Sequence, residues 1–232
     1  MIIKHPENKD IPGLRRLWQQ AFGDTDSLLD KFFRVGFGFD RCLCIRDGAQ
    51  IVAALYWFDC SWGKKKVAYI YAVATDEGYR GQGLCRRLMD DAHRQLREQG
   101  YCGAALVPGE EGLIRLYEKF GYRGFCPMKR MTAQSLPAAE KITSEQYRLL
   151  RQEQLCDDAL LHSKQGLGLL DTYGSFYKGE NALFCGYWEN GTFHFEEVLG
   201  ALDVPQKTFS QAMYLSLDGT NTQPNYFAIP LI

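Results

Sequence analysis

The chain has 232 residues, of which 46% are hydrophobic and 24% are charged, a balance typical of a globular protein with a sizeable core. Its formal net charge of -1 gives no support for nucleic acid or an anionic membrane as the main partner. The sequence has no apolar run near the roughly 20 residues that span a bilayer, and its N-terminus turns polar too soon for a signal peptide, so we expect a cytoplasmic protein.

The first part of the chain has the hydrophobic periodicity of an α/β protein, with the element order β-α-α-β-β-β-α-β-α-β. Helices are predicted over residues 10–22, 24–37, 84–99 and 110–122. Strands are predicted over residues 42–46, 51–58, 67–75, 101–108 and 127–133, the last of them as an edge strand. The run at residues 67–75, VAYIYAVAT, is apolar on both faces, which is typical of a central strand covered on both sides.

Residues 133–141 have the composition of a linker, so we predict two domains, residues 1–132 and residues 143–232. The second domain is predicted to be a smaller α/β unit. It begins with a helix over residues 143–155, where Thr143 and Gln146 fit a capping box. Strands are predicted over residues 182–198, around an ENG turn, and over residues 225–232, with a helix over residues 205–217 between them.

Eight cysteines are present, but the sequence has no CxxC pair and nothing in it indicates secretion. We therefore expect reduced thiols that act as small core residues rather than disulfides. No cluster of histidine, cysteine and acidic residues has the spacing of a metal site, so we expect no metal.

A basic segment, YRGQGLCRRL at residues 79–88, stands where the helix after the central strand begins. Helix N-termini carry unpaired N–H groups and a partial positive charge, so arginines there are unfavourable unless an anion binds. Gly81 and Gly83 would let the backbone approach phosphate oxygens closely. The P-loop pattern is absent, and Arg86 stands where the Rossmann pattern needs glycine. The alternative is a loop that needs glycine turns and directs its arginines into water.

Residues 73–89, VATDEGYRGQGLCRRLM, resemble the acetyl-CoA-binding motif of the GCN5-related N-acetyltransferases, the GNAT superfamily. The motif Arg/Gln-x-x-Gly-x-Gly/Ala is matched by Arg80 and Gly83, with Cys85 in place of the last small residue. The segment LYEKFGY at residues 116–122 resembles a second signature of the family. The resemblance covers about residues 1–133. It is nearest to the enhanced-intracellular-survival-like branch, whose members carry a degenerate second acetyltransferase-like domain.

The resemblance implies a GNAT fold, a mixed central sheet flanked by helices, with a smaller C-terminal α/β domain. It also implies an acetyl-CoA-dependent N-acetyltransferase, which transfers an acetyl group directly to a primary amine of a small-molecule or peptide acceptor. Acetyl-CoA would be the co-substrate, with its diphosphate on the backbone amides that start the helix and its pantetheine arm on the strand end. The cofactor-binding residues so implied are Val73, Ala74, Thr75, Arg80, Gly81, Gln82, Gly83, Leu84, Cys85 and Arg86.

Tyr117, in the second signature, matches the general acid of the family, which protonates the departing CoA thiolate. The alternative is that Tyr117 is an aromatic residue of the buried helix face, together with Leu113 and Phe120. A set of aromatic residues is open to two interpretations, an acceptor pocket or core packing, of which core packing is favoured. These residues are Tyr56, Trp57, Phe58 and Trp62.

The general base is not evident from the sequence. Glu110 and Glu111 are predicted near the cleft mouth, but favourable charge at a helix N-terminus explains them more simply. The C-terminal carboxylate of Ile232 is the counterpart of a base in the similar branch, and His93 is predicted to lie on the helix surface. Because no base is evident and Cys85 departs from the motif, a catalytically inactive CoA-binding or sensing module is the alternative function. Transfer from a different acyl donor, such as succinyl-CoA, is a third alternative for the function.

Overall fold

A mixed sheet forms the frame of the protein in the computed structural model, which describes residues 1–155 and 157–231. Its twelve strands are β1 (Ile2–Lys4), β2 (Cys42–Asp47), β3 (Gln50–Trp62), β4 (Lys65–Thr75), β5 (Gly103–Leu106), β6 (Arg123–Ala133), β7 (Ala139–Ile142), β8 (Leu160–His162), β9 (Ser175–Gly179), β10 (Ala182–Glu189), β11 (Thr192–Gly200) and β12 (Gln206–Ser216). The α-helices are α1 (Ile11–Phe22), α2 (Asp26–Lys31), α3 (Leu84–Glu98), α4 (Glu111–Glu118), α5 (Ser144–Gln154) and α6 (Lys164–Asp171). The mixed α/β fold class expected from the sequence is confirmed.

The strands follow the order β1-β2-β3-β4-β5-β12-β6-β11-β10-β9-β7, and β8 pairs separately with β3. Strands β4 and β5 pair in parallel, with Val67 opposite Gly103 and Tyr69 opposite Ala105. The other neighbouring strands pair antiparallel. The predicted central strand, residues 67–75, therefore lies within the sheet, between β3 and β5.

Helices cover the two faces of this central part of the sheet. Alternate residues of β4 belong to two different core clusters: Val67 and Tyr69 pack in the cluster that contains α1, and Ala68 and Ile70 in the cluster that contains α3 and α4. Because alternate strand residues point to opposite faces, α1 and α3 lie on opposite sides of β4. The predicted apolar stripe of α3 is buried in the second cluster, with Leu84, Leu88, Met89, Ala92 and Leu96.

Local sequence signals predicted several elements correctly. The capping box at the start of α5 is present, since the N–H of Gln146 donates to Thr143 Oγ1 at 3.1 Å and the N–H of Thr143 donates to Gln146 Oε1 at 2.9 Å. Strands β10 and β11 form the predicted hairpin, with Asn190 and Gly191 in the left-handed region at φ 48° and 78°. Within residues 1–155 and 157–231, none of the helices has both the length and the apolar composition needed to cross a bilayer.

The prediction of a helix over residues 205–217 is wrong, because this segment forms β12 and pairs with β5 on one side and β6 on the other. Its pairing with β6 is interrupted twice, between Thr208 and Ser210 and between Ala212 and Met213. These irregularities remove the period-two alternation by which a strand is usually identified. The prediction that residues 127–133 form an edge strand is also wrong, because β6 has a neighbouring strand on each side, β12 and β11.

Two further predictions are corrected by the structure. The helix predicted over residues 24–37 ends at Lys31 and continues as a π-helical turn, Phe32–Gly36, which buries Phe32 beside the ring of Trp18. The predicted strand over residues 225–232 is absent from its described part, residues 225–231, where one isolated bridge joins Tyr226 to Ala159. The left-handed φ angles of Ile229 and Leu231, 65° and 60°, are incompatible with extended pairing there.

The sheet continues across the predicted domain boundary. Strand β12 pairs with β5, β8 pairs with β3, and β7 begins in the segment that was predicted to be a linker and ends one residue beyond it. The division into residues 1–132 and 143–232 stays a prediction, and any two units at this boundary share one sheet.

Candidate active site

Strands β4 and β5 separate after a short paired segment, and the opening between them is the centre of the candidate site. The last pair in their ladder is Tyr69 with Ala105. Beyond it β4 contains a β-bulge: Ala74 is opposite Ala54, Tyr71 is opposite Tyr56, and the two residues between them face Leu55 alone. Ala72 has a φ of 47°, which is unusual for a residue other than glycine. A bulge interrupts the ladder and redirects the strand, so the backbone at residues 72–73 leaves regular pairing beside the opening.

A cavity of about 350 Å³ fills this opening. Its walls are residues 69–73 of β4, Leu106 and Val107 of β5, Gly109, Leu113 and Tyr117 near or on α4, Trp18 and Phe22 of α1, Asp24 after it, and Arg130, Phe209 and Pro230. Helices α1 and α4 lie on opposite faces of the sheet, so the cavity passes from one face to the other through the gap between the strands.

The start of α3 has an exposed set of backbone donors. Gly83 is the residue before the first turn, with a φ of 73°, and no side chain caps the helix. Gly81 has a φ of 75°, and a Cβ added at either glycine would have no atom within 4 Å. Among the described residues, none accepts a hydrogen bond from the N–H groups of residues 81–86. The segment is therefore a concave row of donors with the geometry of an anion site.

The side chains of this segment have different environments. Arg80 is 58% exposed and donates from Nε to the carbonyl of Thr75 at 3.4 Å, whereas Arg86 donates from Nη2 to the carbonyl of Lys119 at 2.9 Å. Arg86 also lies over the ring of Phe120, so its guanidinium joins the start of α3 to the end of α4. Cys85 is half-buried against the core cluster of α3 and α4, and burial raises the pKa of its thiol.

Two remaining residues of the segment have structural contacts. Leu84 is buried in the same core cluster, and Gln82 donates from Nε2 to the carbonyl of Gly78 at 3.5 Å. Both contacts hold the turn before α3 in place. The predicted residues Val73, Ala74 and Thr75 lie at the end of β4, directly before the turn that leads into this segment.

Asp76 fixes this turn, and the sequence analysis did not identify it. The residue is 7% exposed, and its carboxylate accepts hydrogen bonds from Arg16 at 3.0 Å, from Gln50 at 3.1 Å and from the N–H of Gly78 at 3.1 Å. Burial opposes its charge, but the hydrogen bonds from Arg16 and the Gly78 amide together lower the pKa of the carboxyl. An Asp two residues before a glycine after a strand is the available sequence signal for such an Asx turn.

Tyr117 lines the cavity from α4 and is 7% exposed. Its ring packs against Phe120 and Tyr122, with ring centroids 6.1 and 5.9 Å away. Burial raises the pKa of the hydroxyl, and the nearby Cys85 thiol adds to this effect. Tyr117 therefore belongs to a buried helix face that also forms a wall of the cavity, and its role as general acid stays a prediction.

Residues 3–125, just over half of the 232 residues, match a family model described as an acetyltransferase (GNAT) domain. The chain belongs to the GNAT acetyltransferase family. The comparison with curated protein sequences gives no match.

Solved structures with the GNAT fold resemble nearly the whole chain. A GCN5-related N-acetyltransferase from Kribbella flavida has a TM-score of 0.69 at 17% identity, over 94% of this chain and 71% of that one. Eis1 from Mycobacterium abscessus has a TM-score of 0.68 at 9% identity, over 94% of this chain and 74% of that one. A GCN5-related N-acetyltransferase from Anabaena variabilis has a TM-score of 0.66 at 15% identity, covering 93% and 72%. At these identities the likeness shows a shared fold, which extends into the second half of the chain.

Pro230, in the C-terminal segment at residues 225–231, forms part of the cavity wall in this GNAT protein. Tyr69 donates its hydroxyl to the carbonyl of Pro230 at 2.6 Å, and Tyr71 donates to the carbonyl of Leu231. His162 donates from Nε2 to the carbonyl of Ile229 at 2.8 Å, and burial lowers the pKa of its imidazole to about 3. Sequence reasoning could not find this wall, because its partners on β4 are some 160 positions earlier in the chain.

The residues considered as a general base lie in different parts of the chain and differ in burial. Glu110 is the residue before α4 and Glu111 lies in its first turn, and neither lines the cavity between β4 and β5. Ile232 lies outside the described residues. The prediction that His93 is a surface residue is wrong: it is 5% exposed, its Nε2 lies 2.9 Å from the hydroxyl of Tyr122, and burial lowers its pKa to about 4.

Core packing is confirmed for the aromatic residues of β3. Tyr56, Trp57 and Phe58 are at most 3% exposed, and Trp62 packs edge-on against Tyr214. In the part of the chain that the structure describes, no group of three or more His, Cys, Asp or Glu side chains is arranged to hold a metal ion. The absence of a metal stays a prediction.

Proposed function

We propose that this GNAT protein transfers an acetyl group from acetyl-CoA directly to a primary amine. The observation that carries the proposal is the cavity between β4 and β5, which joins the bulge of β4 and Tyr117 in one space that is open to both faces of the sheet. A donor that enters from the α3–α4 face and an acceptor that enters from the α1 face would meet at the bulge. Such an arrangement removes the entropic cost of bringing two reactants together.

The row of N–H groups from Gly81 to Arg86 would hold the diphosphate of CoA. Negative oxygens suit the partial positive charge of an uncapped helix start, and the absence of a Cβ at Gly81 and Gly83 allows close approach. Arg80 is exposed beside this row and would add a charge-assisted contact. Arg86 would contribute its backbone amide, because its guanidinium is engaged with Lys119.

The end of β4, Val73 to Thr75, would accompany the pantetheine arm like an added strand. The thioester carbonyl would then lie at the bulge, where an N–H near Val73 would stabilise the oxyanion that forms when the amine attacks. The new bond joins the amine nitrogen to the carbonyl carbon, and the bond between that carbon and sulfur breaks. The sulfur leaves as the thiolate of CoA, and the nitrogen, which is positively charged after the attack, loses a proton to solvent to become the amide nitrogen.

Tyr117 would protonate this thiolate. Because burial raises its pKa, the phenol keeps its proton at neutral pH and can act as a donor. An ordinary thiol, with a pKa of about 8.5, is a stronger acid than a phenol, so the transfer would depend on the cavity, where burial also raises the pKa of the nascent thiolate and strengthens the hydrogen bond that Tyr117 donates to it. The phenolate regains a proton from solvent before the next cycle.

The acceptor end of the cavity favours a cationic amine. Asp24 lines it, and its Oδ2 accepts a hydrogen bond from Trp18 Nε1 at 2.7 Å. The rings of Trp18, Phe22 and Tyr71 line the same cavity as this carboxylate, and Trp18 packs edge-on against the other two. Aromatic faces and a carboxylate together attract an ammonium group.

Tyr117→Phe is expected to lower kcat by about 100-fold, the lower end of the usual contribution of an acid or base, while the Kd for CoA stays unchanged. The measurement is release of free thiol from acetyl-CoA with a panel of primary amines, and calorimetry gives the Kd. Tyr122→Phe is a matched control, because Tyr122 is buried nearby but does not line the cavity. An unchanged kcat in Tyr117→Phe would remove this residue from the mechanism.

The same measurements separate transfer from the alternative of a sensing module. Heat of binding with CoA, without thiol release in the presence of any amine, would favour the inactive CoA-binding protein. Thiol release that depends on the amine would support the acetyltransferase.

A further inference from the structure

Glu196 lies at a β-bulge of β11 that redirects its side chain. In the pairing of β10 with β11, Cys185 is opposite Glu197 and Gly186 is opposite Phe195, so Glu196 has no partner across the ladder. Phe195 packs in a cluster of β10 and β11, whereas Leu199 belongs to the large cluster that also contains Tyr69 of β4. The bulge therefore reverses which residues of β11 face the candidate site, and Glu196 is the residue at the reversal.

The carboxyl group of Glu196 is buried without a full set of hydrogen bonds. The residue is 7% exposed, and no group among the described residues hydrogen-bonds its Oε2. Its neighbour Glu197, by contrast, pairs with Arg151 at 2.6 Å and accepts hydrogen bonds from Tyr147 and Tyr226. A buried carboxyl with one oxygen left without a hydrogen bond is costly, so this one calls for an explanation beyond stability.

A small cavity of about 60 Å³ lies between Glu196 and the candidate site. Glu196 forms part of its wall, and Arg130, Phe209 and Pro230 are shared between this cavity and the larger one between β4 and β5. Its other walls include polar groups of His194, Tyr187 and Thr132. The volume suits about two water molecules, each with a share of about 30 Å³, and the polar walls offer them partners.

We propose that Glu196 is the proton acceptor for the amine, through water in this small cavity. This role rests on the proposed acetyl transfer. The acceptor enters as an ammonium ion; one N–H proton passes to water, and a proton from that water passes to the Glu196 carboxylate. The neutral amine then has the lone pair that attacks the thioester carbonyl. The proton on Glu196 returns to solvent after the product leaves.

The environment of Glu196 suits this task. Burial raises the pKa of its carboxyl to about 8, the charge of Glu197 adds to this, and the N–H of Leu231 opposes it. Glu196 also lines a second cavity, of about 370 Å³. The other titratable groups that face it or line these two cavities are Tyr69 and Tyr71 of β4, Cys126, Lys129 and Arg130 of β6, Cys185 and Tyr187 of β10, His194 of β11, Tyr173 after α6, and Tyr226. A general base works best when its pKa lies near the working pH, and an ordinary glutamate is too weak a base for an ammonium ion.

The sign of the pH dependence follows from this pKa. Below pH 8 Glu196 is mostly protonated and cannot accept a proton, so kcat should be low. The rate should rise with pH and level off above about pH 8. In Glu196→Gln this rise should be lost, whereas Glu196→Asp should keep it at a lower kcat.

The decisive test compares two nucleophiles. With a strongly basic alkylamine, Glu196→Gln should lower kcat by about 100-fold, the usual effect of losing a general base. With a hydrazide, whose terminal nitrogen is already neutral at the assay pH, the same variant should lose far less, about threefold or under, because no ammonium proton has to be removed. Calorimetry with CoA and far-UV circular dichroism check that the near-isosteric variant is folded and binds the co-substrate.

Asp24→Asn is the matched variant for the other carboxyl of the site. Because Asp24 lines the acceptor end, this change should raise KM for the alkylamine and leave the pH-dependent rise of kcat in place. Equal losses of Glu196→Gln with both nucleophiles, or a retained rise with pH, would overturn the role of Glu196 while leaving acetyl transfer intact. A wild-type protein that binds CoA but releases no thiol with either nucleophile would instead overturn the proposed function, and this role with it.

Discussion

Gly83→Glu is expected to weaken the binding of CoA and of acetyl-CoA by about 100-fold or more. The residue lies directly before α3, in the row of backbone donors proposed to hold the diphosphate. A carboxylate placed about 4 Å from a phosphate charge costs about 4 kcal/mol at an effective dielectric constant of 20, and about 1 kcal/mol in bulk water. An intermediate value of about 3 kcal/mol corresponds to about 100-fold in Kd, and the added bulk in the cradle increases the loss.

Two control variants isolate the charge at this position. Gly83→Gln has the same bulk and the same left-handed backbone strain, without the charge, so it should weaken CoA binding less than Gly83→Glu. Gly100→Glu places the same side chain beyond the other end of α3, where φ is 79° and a Cβ has equally open surroundings. Calorimetry with CoA gives all three Kd values. If Gly83→Glu bound CoA as tightly as Gly100→Glu does, the diphosphate would have to lie elsewhere.

Much of the fold could be predicted because its signals are local. Helix α3 has an apolar stripe at helical spacing and ends two residues before Gly100, and α5 begins at a reciprocal capping box. The turn between β10 and β11 has Asn190 and Gly191 at positions that require positive φ. Each of these signals lies within a few residues of the element that it determines, so tertiary contacts do not need to be known.

The walls of the candidate site could be predicted only in part. The motif around Gly83 and the position of Tyr117 could be predicted, because each has a short sequence signature. The bulge at residues 72–73 could not be predicted, because a strand that is apolar on both faces has the same hydrophobic pattern with or without an extra residue. The wall at Pro230 depends on hydrogen bonds with Tyr69 and Tyr71, and no sequence period reports a contact over that separation.

Glu196 illustrates the same limit. In the sequence it is one of two consecutive acidic residues in a strand, and nothing distinguishes the unpaired one from the paired one. The difference arises from the bulge, where the two strands approach closely: a Cβ at Gly186 would overlap the carbonyl oxygen of His194. Glycine at 186 therefore permits the irregular pairing that separates the environments of Glu196 and Glu197.

Glu197→Gln is expected to lower the free energy of unfolding by about 3–5 kcal/mol, because it leaves the charge of Arg151 buried without a counter-ion. The side chains of Arg151 and Glu197 are 2% and 0% exposed, and Nε and Oε2 are 2.6 Å apart. Domains are typically stable by only about 5–15 kcal/mol, so this change removes a large part of the total. Chemical denaturation, followed by circular dichroism, measures the loss.

An exposed ion pair on the same helix provides the control. Arg148 and Glu145 of α5 are 2.9 Å apart, but their side chains are 28% and 51% exposed, so Glu145→Gln should cost less than about 1 kcal/mol. Replacing both Arg151 and Glu197 by leucine should recover part of the loss, since no unpaired charge is left. A cost for Glu197→Gln no larger than for Glu145→Gln would mean that water reaches the buried pair.

Because Tyr226 donates to Glu197 Oε1 at 2.9 Å, the pair also anchors the segment that leads to Pro230. Glu197→Gln should therefore lower kcat as well as stability, by loosening a wall of the cavity.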